Sequence, residues 1–336
     1  MNWARSYTST WRVFKVNKDT WADGQEVGNV DAVSVERTAD GELLESGSME
    51  VTDSFEPGYY RVVLTAEQDG DIERVEVATL LFEATSGNYN YGTSTHSANG
   101  YSVLYPASTT AMLNGSYAPK GVNGAEYAAR LLRNAINAPV VVDGTFTLND
   151  YVVHEFGQTV LTAVWSVLNA GNFVMQIDGA GRVHILPKPT ESSLSLSGVN
   201  VQYLQPGIDY ELDDSQVPNR YIAVNGLLQS IVENDSPSSS VSTVNRGFTV
   251  DIVDTEPMPV NGETLTAYAT RKLQELSTVA DTRTYTREYY TGVNIYDLVD
   301  AGVDGMTGTL RVVQQSLTCN YGITVTEQSS TEVDLW

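Results

Sequence analysis

The sequence predicts an α+β fold, mainly β, in which two strand-rich segments flank an α+β insert. Three observations carry that expectation. Only 18% of the 336 residues are charged, while Ser, Thr, Asn, Val and Tyr are abundant, a usage that favours strands over helices. Short alternating runs bounded by turn residues recur in 1–95 and again in 191–336. Helical periodicity is concentrated in 96–190 and in one stretch of the last segment. With 41% hydrophobic residues the chain is globular, and its length gives room for two or three domains, each with its own core. We divide it into 1–95, 96–190 and 191–336.

In the first segment the expected strands are Trp11–Val16, Val30–Arg37, Gly47–Val51, Tyr59–Thr65 and Arg74–Phe82. Val33-Ser34-Val35-Glu36 and Arg74-Val75-Glu76-Val77 alternate cleanly, which puts charge and β-branched side chains on opposite faces. Turn signals separate the runs at Ala22-Asp23-Gly24, Ala39-Asp40-Gly41, Glu56-Pro57-Gly58 and Gln68-Asp69-Gly70-Asp71. Strands at this spacing suggest a small barrel or sandwich. The polar stretch Thr85–Thr95, with Gly87 and Gly92, reads as a loop or a link into the next segment.

The middle segment changes character. Asn123 followed by Glu126 marks the start of a helix over about Gly124–Asn137, stopped by Pro139. A second helix covers about Gln158–Ala170, with Val160, Leu161, Val164, Trp165 and Leu168 at helical spacing and Gly171 as its terminator. A hairpin follows: Phe173–Ile177, the turn Asp178-Gly179-Ala180-Gly181, and Arg182–Leu186. The last segment returns to strands at Tyr221–Val224, Leu227–Val232, Gly247–Ile252, Thr309–Leu317 and Asn320–Glu327. One helix, about Gly262–Ala280, interrupts them and turns Leu265, Tyr268, Ala269, Leu273 and Leu276 inward. The Ser-rich stretch Asn234–Ser240 reads as an exposed, mobile loop. No short repeat occurs, but the similar size and acidity of the outer segments suggest two related barrels.

Net charge is −23, distributed as −10 in 1–95, zero in 96–190 and −13 in 191–336. A chain that grips nucleic acid needs a basic footprint, so that class is disfavoured. The acidity either keeps the protein soluble or serves a function. Met1–Tyr7 is not followed by an apolar core, so no secretory signal is expected. No run of about 18 apolar residues occurs, so no membrane segment is expected.

Residues able to carry chemistry are sparse. The histidines are His96, His154 and His184, and none stands in a metal-ligand spacing. His184 alternates with Val183 and Ile185 and reads as a strand-face residue; His154-Glu155 reads as a helix-entry pair. Cys319 is alone and reads as a buried, inert thiol. Glu45-Ser46-Gly47-Ser48 lacks the pattern of a nucleophile elbow, and there is no Walker loop or G-x-G-x-x-G. The 42 acids offer carboxylate pairs without a specific arrangement. Asp297, Asp300 and Asp304 lie close together but do not match a calcium loop, and a solvated loop is expected there. Aromatic residues could line a sugar site, yet Trp11, Tyr60 and Trp165 fit core or strand positions. The expectation is a non-enzyme with no catalytic, metal or cofactor site.

The order of parts, and several stretches within it, resemble the hub proteins of phage tail baseplates and tail tips, the group related to the central hub of contractile phages. Val217-Pro218-Asn219-Arg220-Tyr221-Ile222-Ala223-Val224 resembles the entry to that family's second barrel. The helix Thr159–Trp165 followed by Asn172–Asp178 and Gly181–Ile185 resembles its helix–hairpin insert. The helix Thr264–Ala280, with Ala267-Tyr268-Ala269 and Lys272-Leu273, resembles that of its last domain, and Thr307–Thr318 its closing strands. The resemblance spans nearly the whole chain. It implies tube-like antiparallel barrels at 1–95 and 191–336 flanking the α+β insert 96–190. It also implies a homotrimer whose six barrels adapt a six-fold tail tube to a three-fold tip and surround the DNA exit channel. Closing such a ring hides strand edges. The implied partners are tail tube and distal tail proteins, a tape-measure protein and tail-tip spike or fibre proteins. DNA would pass without specific binding, and the location would be the virion tail tip after synthesis in the host cytoplasm. Some members of the family continue into a lytic or host-binding extension, for which a chain ending at Trp336 has no room. The alternatives are a hexameric distal tail ring protein and a glycan-binding or glycan-hydrolysing protein.

Overall fold

A computed structural model describes every residue except 1, 53–54, 91–92, 114, 193, 198–201, 203–206, 256, 258, 260–262, 291, 304 and 321. The chain forms two compact units: Met1–Ile208 with Thr284–Ser329, and Asp209–Arg283 with Ser330–Trp336. The fold is mainly β with few helices.

The first unit opens with β1 (Thr8–Val16), β2 (Asp23–Val27), β3 (Val30–Thr38), β4 (Glu45–Thr52), β5 (Gly58–Gln68), β6 (Asp71–Asn90) and β7 (Thr93–Tyr101). All their pairings are antiparallel. Asp69 and Gly70, at φ 55° and 90°, link β5 to β6; two left-handed residues match the right-handed twist of a tight hairpin. The turn expected at Ala22-Asp23-Gly24 falls earlier. Asn17 accepts from the amides of Asp19 and Thr20 (2.9 and 3.0 Å) and folds the chain there, leaving Asp23 to start a strand. Of the stretch Thr85–Thr95, the described residues 85–90 and 93–95 are strand and not loop. β6 runs to Asn90 and β7 starts at Thr93, with Gly87 opposite His96 and Tyr89 opposite Ser94. Its polar side chains hide the strand from hydropathy, while ladder hydrogen bonds to the neighbour hold it. Gly92 lies outside the described residues.

The insert follows as α1 (Tyr105–Thr109), β8 (Ser116–Ala118), α2 (Gly124–Arg133), β9 (Val140–Val142), β10 (Val152–His154), α3 (Val160–Asn169), β11 (Phe173–Ile177) and β12 (Val183–Pro187). Asn123 caps α2 by accepting from the amides of Ala125 and Glu126 (3.1 and 3.5 Å), and Thr159 caps α3 through Thr162 N (3.1 Å). The apolar faces of both helices, including Ala128, Leu132, Leu161, Val164 and Leu168, meet Met175, Ile177, Val183 and Ile185 of the hairpin in one core. β9, too short to be read from sequence, runs parallel to β12.

After β13 (Leu194–Leu196), the second unit holds β14 (Asp209–Leu212), β15 (Arg220–Asn225), β16 (Leu228–Glu233), α4 (Thr243–Arg246), β17 (Asp251–Asp254) and α5 (Leu265–Leu276). α5 is capped by Thr264 and buries Tyr268, Ala269 and Leu273 against Tyr221 and Ala223. It is shorter than expected: its predicted first residue, Gly262, lies outside the described residues, Leu276 is exposed, and a strand begins at Thr278. The Ser-rich stretch is exposed at Asp235, Pro237, Ser238 and Ser240, as expected, but anchors itself through buried Asn234 and Ser239. Asn234 donates to Ser239 Oγ (2.9 Å), Asn219 donates to Val241 O (3.0 Å), and Asn245 donates to Ser239 O (2.7 Å). Side-chain amides thus satisfy a backbone that hydropathy marks as loop.

The chain closes with β18 (Thr278–Glu288), β19 (Leu298–Val303), β20 (Met306–Cys319) and β21 (Ile323–Asp334); β18 and β21 contribute residues to both units. β20 pairs antiparallel with β3, from Gln314 opposite Thr38 to Cys319 opposite Val33. The first and last strands therefore share one sheet, in the order β18-β21-β20-β3-β4-β7-β6-β5-β1-β2. Its inward residues, among them Val13, Val35, Met49, Tyr60, Phe82, Leu317 and Val325, enclose a single core. Among the described residues side chains rather than a ladder link β1 and the residue before it to the far strands: Trp11 Nε1 donates to Asn320 O (2.5 Å) and the Tyr7 hydroxyl to Glu288 (3.4 Å).

Candidate functional site

β3 buries Val33, Val35 and Arg37, so strand alternation turns Ser34 and Glu36 outward. Register then aligns whole rows across the sheet. Thr318, Ser34, Ser48, Asn99 and Glu83 form one row; Ser316, Glu36, Ser46, Tyr101 and Leu81 form the next; Glu50 stands between Ala32 and Ser97 in a third. Toward β18 the outward positions are Thr324, Thr326 and Gln328 of β21, then Thr284, Thr286 and Glu288. Side-chain hydrogen bonds tie the rows together: Ser34 to Ser48 (2.8 Å), Thr286 to Thr326 (3.2 Å) and Ser316 to Glu36 (2.5 Å). No Lys or Arg stands in these rows. The result is a hydroxyl- and amide-rich face studded with carboxylates, which offers a polyanion contact without a cation to hold it.

Beneath that face lies a polar network. Arg37 donates to Glu45 (3.0 Å) and Gln315 (3.4 Å); Gln315 donates to Glu327 (2.6 Å); Arg287 pairs with Glu327 (2.6 Å). Tyr285 donates to Glu327 as well. All of these residues are buried, and pairing is what makes their charges tolerable there. Sequence reasoning missed the network because its partners lie on β3, β4, β18, β20 and β21.

The hairpin turn Asp178–Gly181 docks on the neighbouring strands. Trp21 Nε1 and an Arg61 guanidinium nitrogen both donate to Ala180 O (2.7 and 2.8 Å), and Thr79 Oγ1 donates to Gly179 O (2.9 Å). A cleft of about 550 Å³ opens beside it, lined in part by Arg37, Glu76, Asp178, Arg182, His184 and Asp297. Its described lining contains cations and carboxylates but no Ser, Thr, Cys or Lys to pair with a base.

The residues singled out from sequence are dispersed among elements. His96 lies on β7 opposite Val51. His154, on β10, is buried and stacks on Tyr127 at 5.8 Å and 25°; burial lowers its pKa. His184 lies between Asp143 (2.6 Å) and Asp178 (3.3 Å). Cys319 is buried, which pushes its thiol up to about 12. Asp297 is not in a solvated loop: it accepts from Gln176 Nε2 and Asn294 N (both 2.8 Å), and burial raises its pKa. Asp300 accepts from Thr309 (2.6 Å), and Asp304 lies outside the described residues. Among the described residues no group of three or more His, Cys, Asp or Glu is placed to hold a metal, and no helix is long and apolar enough to cross a membrane.

No family model matches the sequence, and no curated protein matches it. Solved structures do match the fold. The tail protein from Neisseria meningitidis MC58 aligns with a TM-score of 0.62 at 14% identity, covering 96% of this chain and 97% of that one. The 43 kDa tail protein of prophage MuSo2 from Shewanella oneidensis aligns with a TM-score of 0.63 at 12% identity, covering 96% of each chain. The chain has the fold of phage tail proteins. A chain of the Francisella PdpA–VgrG complex matches 97% of this one at a TM-score of 0.56 and 8% identity; the match spans 58% of that chain. In this fold the cation-free face is built by the strands that join the two ends of the chain.

Proposed function

We propose that the chain is a non-catalytic structural hub in the tail tip or baseplate of a phage or phage-like particle. The observation that carries this reading is the fold likeness, which runs the length of this chain and of two tail proteins alike. In the proposed assembly three copies form a ring, each contributing two tube-like barrels built from strands of 1–95 and 191–336, with 96–190 outside the channel. Six barrels then meet a six-fold tail tube and present a three-fold tip. The cation-free face lines the DNA path. Tail tube, distal tail, tape-measure and spike or fibre proteins are the neighbours, and the virion tail is the location.

Imaging of particles that carry a tagged copy tests this. Three copies in a closed ring around a central opening at the tail tip are expected. Six copies would assign the chain to a distal tail ring instead, and absence of the tag from the particle would end the tail reading altogether.

A further inference from the structure

A net charge of −23 makes two copies of this chain repel, so a contact between copies is favoured where the charge is locally reversed. One surface of the insert supplies it. A groove of about 630 Å³ runs beside α2, walled by Pro119, Val122, Tyr127 and Arg130 together with the ion-paired Glu126 and Arg133. The Arg130 guanidinium lies 4.9 Å from the centroid of the Tyr127 ring. His154 stacks against Tyr127 at 5.8 Å and supports that wall by packing, with no hydrogen bond to either of its ring nitrogens among the described residues. Lys120, next to Pro119, is exposed. Among the described residues neither Lys120 nor Arg130 has a carboxylate partner, whereas Arg133 is paired with Glu126 at 3.3 Å. One unpaired cation in a mostly apolar groove, with a second, Lys120, next in sequence to its wall, favours an acidic segment.

Such a segment is present on the same chain. β14 is exposed at every residue, and its sequence alternates Asp209, Tyr210, Glu211, Leu212. Tyr210 lies under the Arg283 guanidinium at 5.2 Å, which marks the other face of the strand, Asp209 with Glu211, as the acidic one. Asp213 is engaged by Ser215 and Asp214 faces Arg246 at 3.8 Å, but Asp209 and Glu211 have no cationic partner among the described residues.

We propose that the acidic face of β14 in one copy seats on the α2 groove of a second copy, with Asp209 and Glu211 against Lys120 and Arg130. Groove and strand are different surfaces, so the contact is head-to-tail and generates a ring when the rotation closes. It rests on the hub reading for its ring and names the surfaces that would close it.

Light-scattering mass of the full chain across a concentration series tests the contact. Lys120→Glu with Arg130→Glu, and separately Asp209→Lys with Glu211→Lys, are each expected to weaken self-association about tenfold to a hundredfold, the effect of turning two exposed ion pairs into repulsions. The chain carrying all four changes is expected to assemble as the native one does. Far-UV circular dichroism and melting temperature identify any variant that fails by unfolding, and the four-fold swap is itself the second arm against that outcome. Native-strength assembly in either two-fold variant overturns the contact, as does failure of the folded swap to recover, or a native chain that stays a single copy throughout. Ring symmetry in particles decides the hub reading separately, so a three-copy ring indifferent to these charges would remove the contact and leave the hub.

Discussion

Glu45 is held where its charge is least welcome. It is buried, one carboxylate oxygen accepts from Arg37 at 3.0 Å, and the other has no partner among the described residues. Burial pushes its pKa from 4.5 to about 7, against the downward pull of Arg37. A raised carboxylate is a stability statement with a definite sign. The folded state binds the proton more tightly than the unfolded chain, so this contribution is fully present below 4.5 and is lost as pH rises through about 7. Glu45→Gln keeps an acceptor for Arg37 and cannot ionise. Urea denaturation from pH 4 to 8 should therefore show a shallower loss of stability in the variant than in the native chain between those two values. Parallel curves would assign the pH dependence to other groups. Alternation correctly predicts Val33 and Val35 inside and Glu36 outside. It also places Arg37 inside, but nothing local says that Glu45, Gln315 and Glu327 wait there, because Arg37 and Gln315 are 278 positions apart.

At the scale of elements, the joint between hairpin and sheet depends on Gly179. A Cβ there would lie 1.8 Å from the Glu76 carbonyl oxygen and 2.4 Å from its carbon, both backbone atoms that cannot swing aside. Gly179→Ala must lift the turn and with it the bonds from Trp21, Arg61 and Thr79 to the carbonyls of Gly179 and Ala180. A loss of about 3 kcal/mol or more is expected from overpacking with broken buried hydrogen bonds. Gly28→Ala, where nothing lies within 4 Å, is the control. Equal melting temperatures for the two variants would show that the turn is not clamped. This hairpin was legible in the sequence, as were β3, β5, α2, α3 and α5, because each carries its own alternation, cap or turn. β18 was not: Thr278–Glu288 is rich in Thr and Arg, and pairing with β14 and β21 is what makes it a strand. The same physics hid the continuation of β6 to Asn90. The outward face was legible one strand at a time, as Ser34 with Glu36. Its continuity required the register that sets Thr318 beside Ser34, Ser48 and Asn99.

For the whole molecule the question is what a wall without cations does to a passing polyanion. Lys and Arg hold DNA chiefly by releasing its condensed counterions, so affinity rises with each phosphate neutralised and falls steeply with salt. A face of Ser, Thr, Asn and Gln with Glu36, Glu50 and Glu83 releases none. Its hydroxyls exchange bonds with water, and its carboxylates repel. If this face lines the path, replacing those three glutamates with lysine converts a sliding surface into a gripping one. All three are exposed, and their cross-strand neighbours include Ser46, Ser97 and Asn99, small polar residues that accept either charge. Particles should therefore assemble in native yield. Release of DNA, followed by dye fluorescence after triggering, should slow at low ionic strength and recover as salt screens the new contacts. The salt dependence separates grip from misassembly, because a distorted ring would stay slow at every ionic strength. Native release rates for the triple variant at low salt would mean that DNA does not travel along this face, and the acidity of the chain would then serve solubility alone.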